Sequence, residues 1–481
     1  MSVDIAGFEG LFKTLSGIDL SGEGPLSVPW REASADAVRA AVEPCVALLP
    51  RAYRAGYSSP LSDSMATLVD QLDPITLETL AGAVYDHKAS AVRPQLRRFL
   101  AVVSNLYRSF LDREQRATLN LPLVEQLPPL AMFQQSGQTG PFTLPVDSIQ
   151  QITGGTVGVV SLPATYRDHP LLWASLAHET GGHDVLHADP GLVPELRRGV
   201  QQIFGGGHAG AGGQVSSGRL LGLLWAYWMD EAASDVYGVL NIGPTFGLNL
   251  AAFFSALLSG FTGTATPRLR AATGPDQAGN LDVHPTDILR LDLIQGVVES
   301  LTGLSQASRA AYTSALDELS AMCGGDAATV SLQGLIRTDN GSGVKVNTSA
   351  PMSTMKAAAR TVGSYIATAK LSALSGHSIQ TIETWDDPDE LAAQNVMNAL
   401  RAGQSITHVG DDAQLLAGAT LAAFAGAASY SDLTHSLNEA LDASWASDPV
   451  WSIPTPDPAW INTSILPADQ YGPSVDITWR L

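Results

Sequence analysis

The residues most able to do chemistry are two histidines and three carboxylates in two short stretches. The first is His178-Glu179-Thr180-Gly181-Gly182-His183, and the second is Asp230-Glu231-Ala232-Ala233-Ser234-Asp235. Zinc at a catalytic site takes three nitrogen, sulfur or oxygen ligands and leaves a fourth position for water. His178, His183 and Glu231 supply such a set. Glu179, beside the first histidine, is the general base that takes a proton from the water. Residues spaced i, i+5 on a regular helix point about 140° apart, too far to share one ion. Gly181-Gly182 answers that objection, because consecutive glycines make a π-bulge or loosened turn less costly. A rival pair, His183 and His187 in His183-Asp184-Val185-Leu186-His187, has the regular i, i+4 spacing but carries Asp184 at the position of the base. There His187 is the alternative ligand; otherwise it is a helix-end histidine facing terminal carbonyls.

His178, Glu179, Gly182 and His183 resemble the His-Glu-x-x-Gly-His motif of the dipeptidyl peptidase III family. The stretch 230–235 resembles the Asn-Glu-x-x-Ser-Asp segment of thermolysin-like peptidases. The resemblance implies a gluzincin-type zinc metallopeptidase with Glu231 as third ligand, Zn2+ as cofactor and a peptide or protein as substrate. It implies Asp235 as the acceptor that orients His178, an arrangement that fixes the histidine tautomer. Dipeptide release is not implied, since the second motif differs from that of dipeptidyl peptidase III. Further on, Asp282-Val283-His284-Pro285-Thr286-Asp287-Ile288-Leu289-Arg290 resembles the His-Pro-x-x-x-x-Arg segment of some integral-membrane zinc peptidases. That makes His284 the candidate for stabilising a developing oxyanion. The segment reads equally well as a helix start with Arg290 in an ion pair. Tyr166, Tyr227 and Tyr237 are the alternatives to His284. Two other functions fit the same ligands: a non-haem iron enzyme with a 2-His-1-carboxylate triad, and a catalytically silent binding or scaffold protein.

Composition bounds the choice. The chain has 481 residues, 45% of them hydrophobic and 15% charged, enough for two or three lobes with sizeable cores. A net charge of −20 argues against nucleic acid, which rewards cationic surfaces through counterion release. Cys45 and Cys323 lie far apart, outside any metal spacing, and read as buried thiols. No basic region followed by an apolar run opens the chain, so a cytoplasmic location is expected. The apolar stretches near Leu248–Phe261 and Leu415–Ala428 fall short of the roughly 20 residues of a membrane span and read as buried helices.

The elements that must position the site follow from periodicity. Helices are expected over Ser34–Arg54, Ile75–Tyr85, Val92–Leu111, Pro194–Ile203, Gln306–Met322, Met352–Ala373, Pro388–Arg401, Asp411–Ala427 and Tyr430–Trp445. One helix opened by Asp168-His169-Pro170 carries the first motif, and one long helix over Gly218–Leu240 carries the second. Thr156–Leu162 reads as an edge strand suited to an extended peptide, Thr329–Val346 as a hairpin around Asn340-Gly341, and Leu127–Pro145 as a connection. The glycine-rich loop 205–213 is a candidate lid carrying His208; its plain reading is a connector. His87, His169, His377, His408 and His435 read as structural or surface residues, and the tail from Asp448 as an extended arm. The expected fold class is mainly α with a small β-sheet (α+β), a zincin-like core with helical flanks. The expected regions are 1–145 helical, 146–302 zinc-binding, and 303–481 mostly helical.

Overall fold

Residues 2–20, 83, 94–122, 127–134, 140–153, 157–205, 217–324, 327–337, 343–406 and 411–447 are described by a computed structural model of the chain. Outside them lie Ser34–Arg54 with Cys45, all but Ala83 of Ile75–Tyr85, most of the glycine-rich loop with His208, His87, His408 and the tail from Asp448. Helices dominate the described residues, and two three-stranded sheets complete an α+β fold.

The β-branched run after Gly155 does form a strand, but not at an edge. Strand β1 (Leu127–Gln134) pairs parallel with β3 (Val157–Pro163), and β2 (Phe142–Leu144) pairs antiparallel on its other side. The middle position suits β3, because Val159, Val160 and Leu162 are completely buried. The segment Leu127–Pro145, expected as a connection, therefore carries both flanking strands. Pro128 and Pro129 obscured β1: proline cannot donate to a ladder and is confined to edges and irregularities, and the β1 register shifts between Leu127 and Leu130. The edge beside the metal motif belongs to β2.

In the second sheet β4 (Ala272–Thr273), β5 (Thr329–Arg337) and β6 (Gly343–Pro351) lie in that order. Strands β5 and β6 are the expected hairpin, in register from Thr329↔Pro351 to Arg337↔Gly343; its Asn340-Gly341 turn lies outside the described residues.

The expected C-terminal helices are Gln306–Gly324, Met352–Thr368, Asp387–Arg401, Asp412–Phe424 and Tyr430–Ser447. Asp386 and Asp389 form a reciprocal capping box at the start of the third, satisfying two orphan amides. The helix from Met352 stops short of Ala373, where Ser372–Leu374 tightens into a 3-10 turn. The most apolar helix, Thr245–Thr262, is long and apolar enough by composition to cross a membrane, yet 61% of it is buried within the fold. It packs against the helices Asp287–Ser300, Gln306–Gly324 and Asp412–Phe424. One hydrophobic core runs from the N-terminal helix to the C-terminal ones: Phe8 stacks on Phe424 with centroids 5.7 Å apart, and Arg98 forks Asp442 at 2.9 and 2.6 Å.

Candidate metal centre

The first motif does not sit on one uniform helix. A 3-10 turn, Pro170–Ser175, gives way to α-helical Leu176–His178 and then to a π-helical turn, Glu179–Asp184. In a π turn the hydrogen bond spans i to i+5, so residues five apart come onto one side. His178 and His183 accordingly face each other, with ring centroids 4.8 Å apart. Gly182 is needed for a second reason: a Cβ there would fall 2.4 Å from both Cα and Cβ of Ser234. It is the contact point between this turn and the helix that brings Glu231. Asp184 ties the turn's other side to the first sheet by accepting the Val146 N–H at 2.9 Å. A Cβ at Gly158 would lie 2.6 Å from that carboxylate.

The second motif is likewise not on one long helix. Ser217–Tyr227 and Met229–Ile242 are separate, broken at Trp228, whose ψ is 10°. The break has a use. The Tyr227 hydroxyl donates to the Leu281 carbonyl at 2.5 Å, and the Trp228 indole N–H donates to the Asp282 carbonyl at 2.9 Å. Two side chains at the break thus pin the segment that delivers His284. Ala232 and Ala233, fully buried, let the Met229–Ile242 helix approach the first motif closely.

His178, His183 and Glu231 converge, with one ligand atom from each all within 4.8 Å of one another. His178 Nε2 lies 3.2 Å from Glu231 Oε2, and His183 Nε2 lies 3.4 Å from Glu231 Oε1. Ligands held tetrahedrally at zinc bond lengths would be about 3.4 Å apart. Glu231 Oε2 is buried without a hydrogen-bond partner among the described residues. A buried carboxylate oxygen is costly in that state, and a cation between the three groups would satisfy it. Two imidazole nitrogens and a carboxylate oxygen fit a divalent transition metal. Burial alone would raise the Glu231 pKa, but the charges of His284 and His183 and the approach of His178 hold it well below the usual carboxylate range.

Behind His178 stands a buried relay. Its Nδ1 is 2.9 Å from Asp235 Oδ1, and Arg290 forks Asp235 through Nε at 2.7 Å and Nη2 at 2.6 Å. Asp235 and Arg290 are both buried, and the guanidinium lies over the Phe254 ring at 4.7 Å. With Nδ1–H donated to Asp235, the Nε2 lone pair is turned toward Glu231 and His183. Burial would lower the His178 pKa, but the contacts with Asp235 and Glu231 more than offset it and raise it to about 9.

Glu179 is buried beside this set, and its Oε2 accepts the Thr143 hydroxyl at 2.9 Å. Thr143, in the middle of β2, carried no signal in the sequence: its relation to Glu179 exists only through the sheet. His284 lies beside the cluster, with Nε2 3.5 Å from Glu231 Oε1 and Nδ1 2.8 Å from Asp282 Oδ1. Of the tyrosine alternatives, Tyr166 and Tyr227 are engaged elsewhere, and the buried Tyr237 hydroxyl has no partner among the described residues. Tyr166, fully buried, donates to the Leu20 carbonyl, Tyr227 donates to Leu281, and Tyr237 is buried in the core. His187 is outside the cluster, with Nδ1 3.0 Å from Asp147 and Nε2 3.8 Å from Asp230. His169 meets Tyr430, His377 the Leu119 carbonyl, and His435 the exposed Glu439.

No protein-family model matches this chain, and no curated protein or solved structure matches it either.

Proposed function

We propose that the chain is a zinc-dependent hydrolase of peptide bonds, with the metal held by His178, His183 and Glu231. The observation that carries this reading is Glu179: a buried carboxylate beside the ligand set, fixed by Thr143, and sharing one cavity with His178 and His284. A zinc ion bound there supplies a Lewis acid that acidifies water and polarises the scissile carbonyl. Glu179 takes the proton from the attacking water and hands it to the leaving nitrogen. Thr143 holds that carboxylate in one rotation. Asp282 keeps His284 Nδ1 as a donor, so the protonated ring presents Nε2–H to the oxyanion. Asp235 and Arg290 hold the His178 ring in place. A non-haem iron centre uses the same ligand types, but leaves the Glu179–Thr143 pair without a role.

The test is metal content of wild type and Glu231→Ala, with cleavage of a quenched peptide library by wild type and Glu179→Gln. One zinc per chain, lost in Glu231→Ala, and cleavage lost in a zinc-replete Glu179→Gln are expected. Iron in place of zinc, or zinc with no cleavage of any peptide, overturns the reading.

A further inference from the structure

We infer that His187 and Asp230 form a second divalent-cation site, weaker than the first and separate from it, for zinc or a similar transition metal. This site stands whether or not the first centre hydrolyses peptides.

The plan of the first centre recurs beside it. At the first, His178 is backed at Nδ1 by Asp235 and presents Nε2 to Glu231, whose Oε2 is buried without a hydrogen-bond partner among the described residues. Further along the same segment, His187 is backed at Nδ1 by Asp147 Oδ2, 3.0 Å away, and presents Nε2 to Asp230, the neighbour of Glu231. Asp230 Oδ1 is likewise buried with no hydrogen-bond partner among the described residues. It lies 3.8 Å from His187 Nε2. That is too long for a hydrogen bond, and a bridging water with ordinary bond lengths would need about 4.5 Å. A cation about 2.1 Å from each atom would meet them at an angle of about 130°. Asp147 stands in the first turn of the helix Val146–Thr153, and its Oδ1 accepts the Ser148 N–H at 2.7 Å, which fixes Oδ2 on His187. With Nδ1–H donated there, the Nε2 lone pair is turned toward Asp230.

Two differences make the second site the weaker one. It has one imidazole and one carboxylate, so water must fill the remaining positions. Its arginine is also placed differently. Arg290 pairs with the carboxylate behind the first histidine, whereas Arg197 Nη2 pairs with the ligand carboxylate itself, at 2.5 Å from Asp230 Oδ2. Only Oδ1 is left for the ion. Losing an outer partner of a ligand already costs about 10- to 100-fold in affinity, so lacking a whole ligand should leave this site at least about 100-fold weaker. An imidazole nitrogen with a carboxylate selects a transition metal over calcium or magnesium, which take oxygen ligands. The ion has a way in: His187 and Asp230 are both partly exposed, and Asp230 and Glu231 border a depression of about 420 Å³. Glu179 and His284 line a different cavity. The second ion therefore clasps the end of the first segment to the start of the helix Met229–Ile242 and takes no part in attack on a substrate.

The experiment titrates zinc calorimetrically into the full-length protein. Glu231→Ala removes the carboxylate of the first centre and reports the second by itself; wild type preloaded with one zinc reports it with the first centre filled. Both are repeated with His187→Ala and with Asp147→Asn added, and histidine side-chain NMR follows the His187 ring. His187 and Asp147 are partly exposed, so the fold should tolerate these changes, and circular dichroism verifies it. We expect a weak zinc equivalent in both backgrounds, with the His187 Nε2 signal shifting as it fills. His187→Ala should abolish it, and Asp147→Asn should weaken it about tenfold or more. Excess zinc should raise the melting temperature of Glu231→Ala, and should not do so once His187→Ala is added. A weak equivalent that survives His187→Ala with the His187 signal unmoved belongs to other groups and overturns the second site. So does the absence of any weak binding at millimolar zinc. If wild type takes up only the His187-dependent equivalent, the first centre fails, the hydrolase reading falls with it, and the second site stands.

Discussion

The two chain segments that meet at the candidate metal centre are both buried, yet built differently. Met229–Ile242 is a regular α-helix, whereas Pro170–Asp184 passes from 3-10 to α to π geometry. The regular helix has to present Glu231 and Asp235, spaced i, i+4, which α geometry already puts on one face. The irregular one has to aim two histidines spaced i, i+5, which α geometry sets apart. Irregular backbone occurs where the spacing of the functional groups disagrees with the helical period. It persists because surrounding groups hold it: Thr143 on Glu179, Val146 on Asp184, and Ser234 against Gly182.

Breaking the regular side should give the largest effect. Asp235→Asn leaves Arg290 buried without its countercharge, and removing one partner of a buried pair costs about 3–5 kcal/mol. The melting temperature should fall, and zinc affinity should drop about 10- to 100-fold with the loss of the His178 partner. A variant with wild-type melting and zinc affinity would show that the relay does not hold the ring.

On the irregular side, Gly182→Ala forces a Cβ into Ser234 and should cost at least about 1–3 kcal/mol, with zinc binding weakened as the two segments part. Ser234 sits on the partner, so Ser234→Gly should restore part of the loss; no restoration would place the strain elsewhere.

Smaller again is Thr143→Val. Zinc stoichiometry should be unchanged and kcat about tenfold lower, with Thr143→Ser close to wild type. Equal kcat in Thr143→Val and wild type would make the hydroxyl irrelevant to the base.

The remaining test varies pH in place of a residue. Without metal, the His178 pKa is raised from 6.5 to about 9. Its protonated contacts therefore stabilise the metal-free fold fully below 6.5, and that contribution fades as pH rises through about 9. Metal takes the neutral ring, so binding must release this proton. Zinc affinity should strengthen about tenfold per pH unit between 6.5 and 9; a flat profile in competition titrations would remove His178 from the ligand set.

How much was legible differs from residue to residue. The i, i+5 histidines with a glycine pair between them already demanded a π-type turn, and Glu231 with Asp235 already shared a helical face. The strand over Thr156–Leu162 was visible from its β-branched residues, but its place in the middle of the sheet was not, because two prolines disguised β1. The helix break at Trp228 has no breaker residue; it follows from Tyr227 and Trp228 bonding to carbonyls more than fifty positions away. Arg290 was visible as an ion-pair candidate, its partner Asp235 was not.

By itself, the sequence determined the candidate ligand types, their order, and the local backbone needed to bring the two histidines together, since these depend on neighbours within a turn or two. Only the tertiary structure decided what lies across from them: Thr143 on Glu179, Arg290 behind Asp235, His284 beside Glu231, and an apolar helix face along the cavity. Those are distances between residues far apart in the chain, set by how helices and strands pack, and no local spacing encodes them.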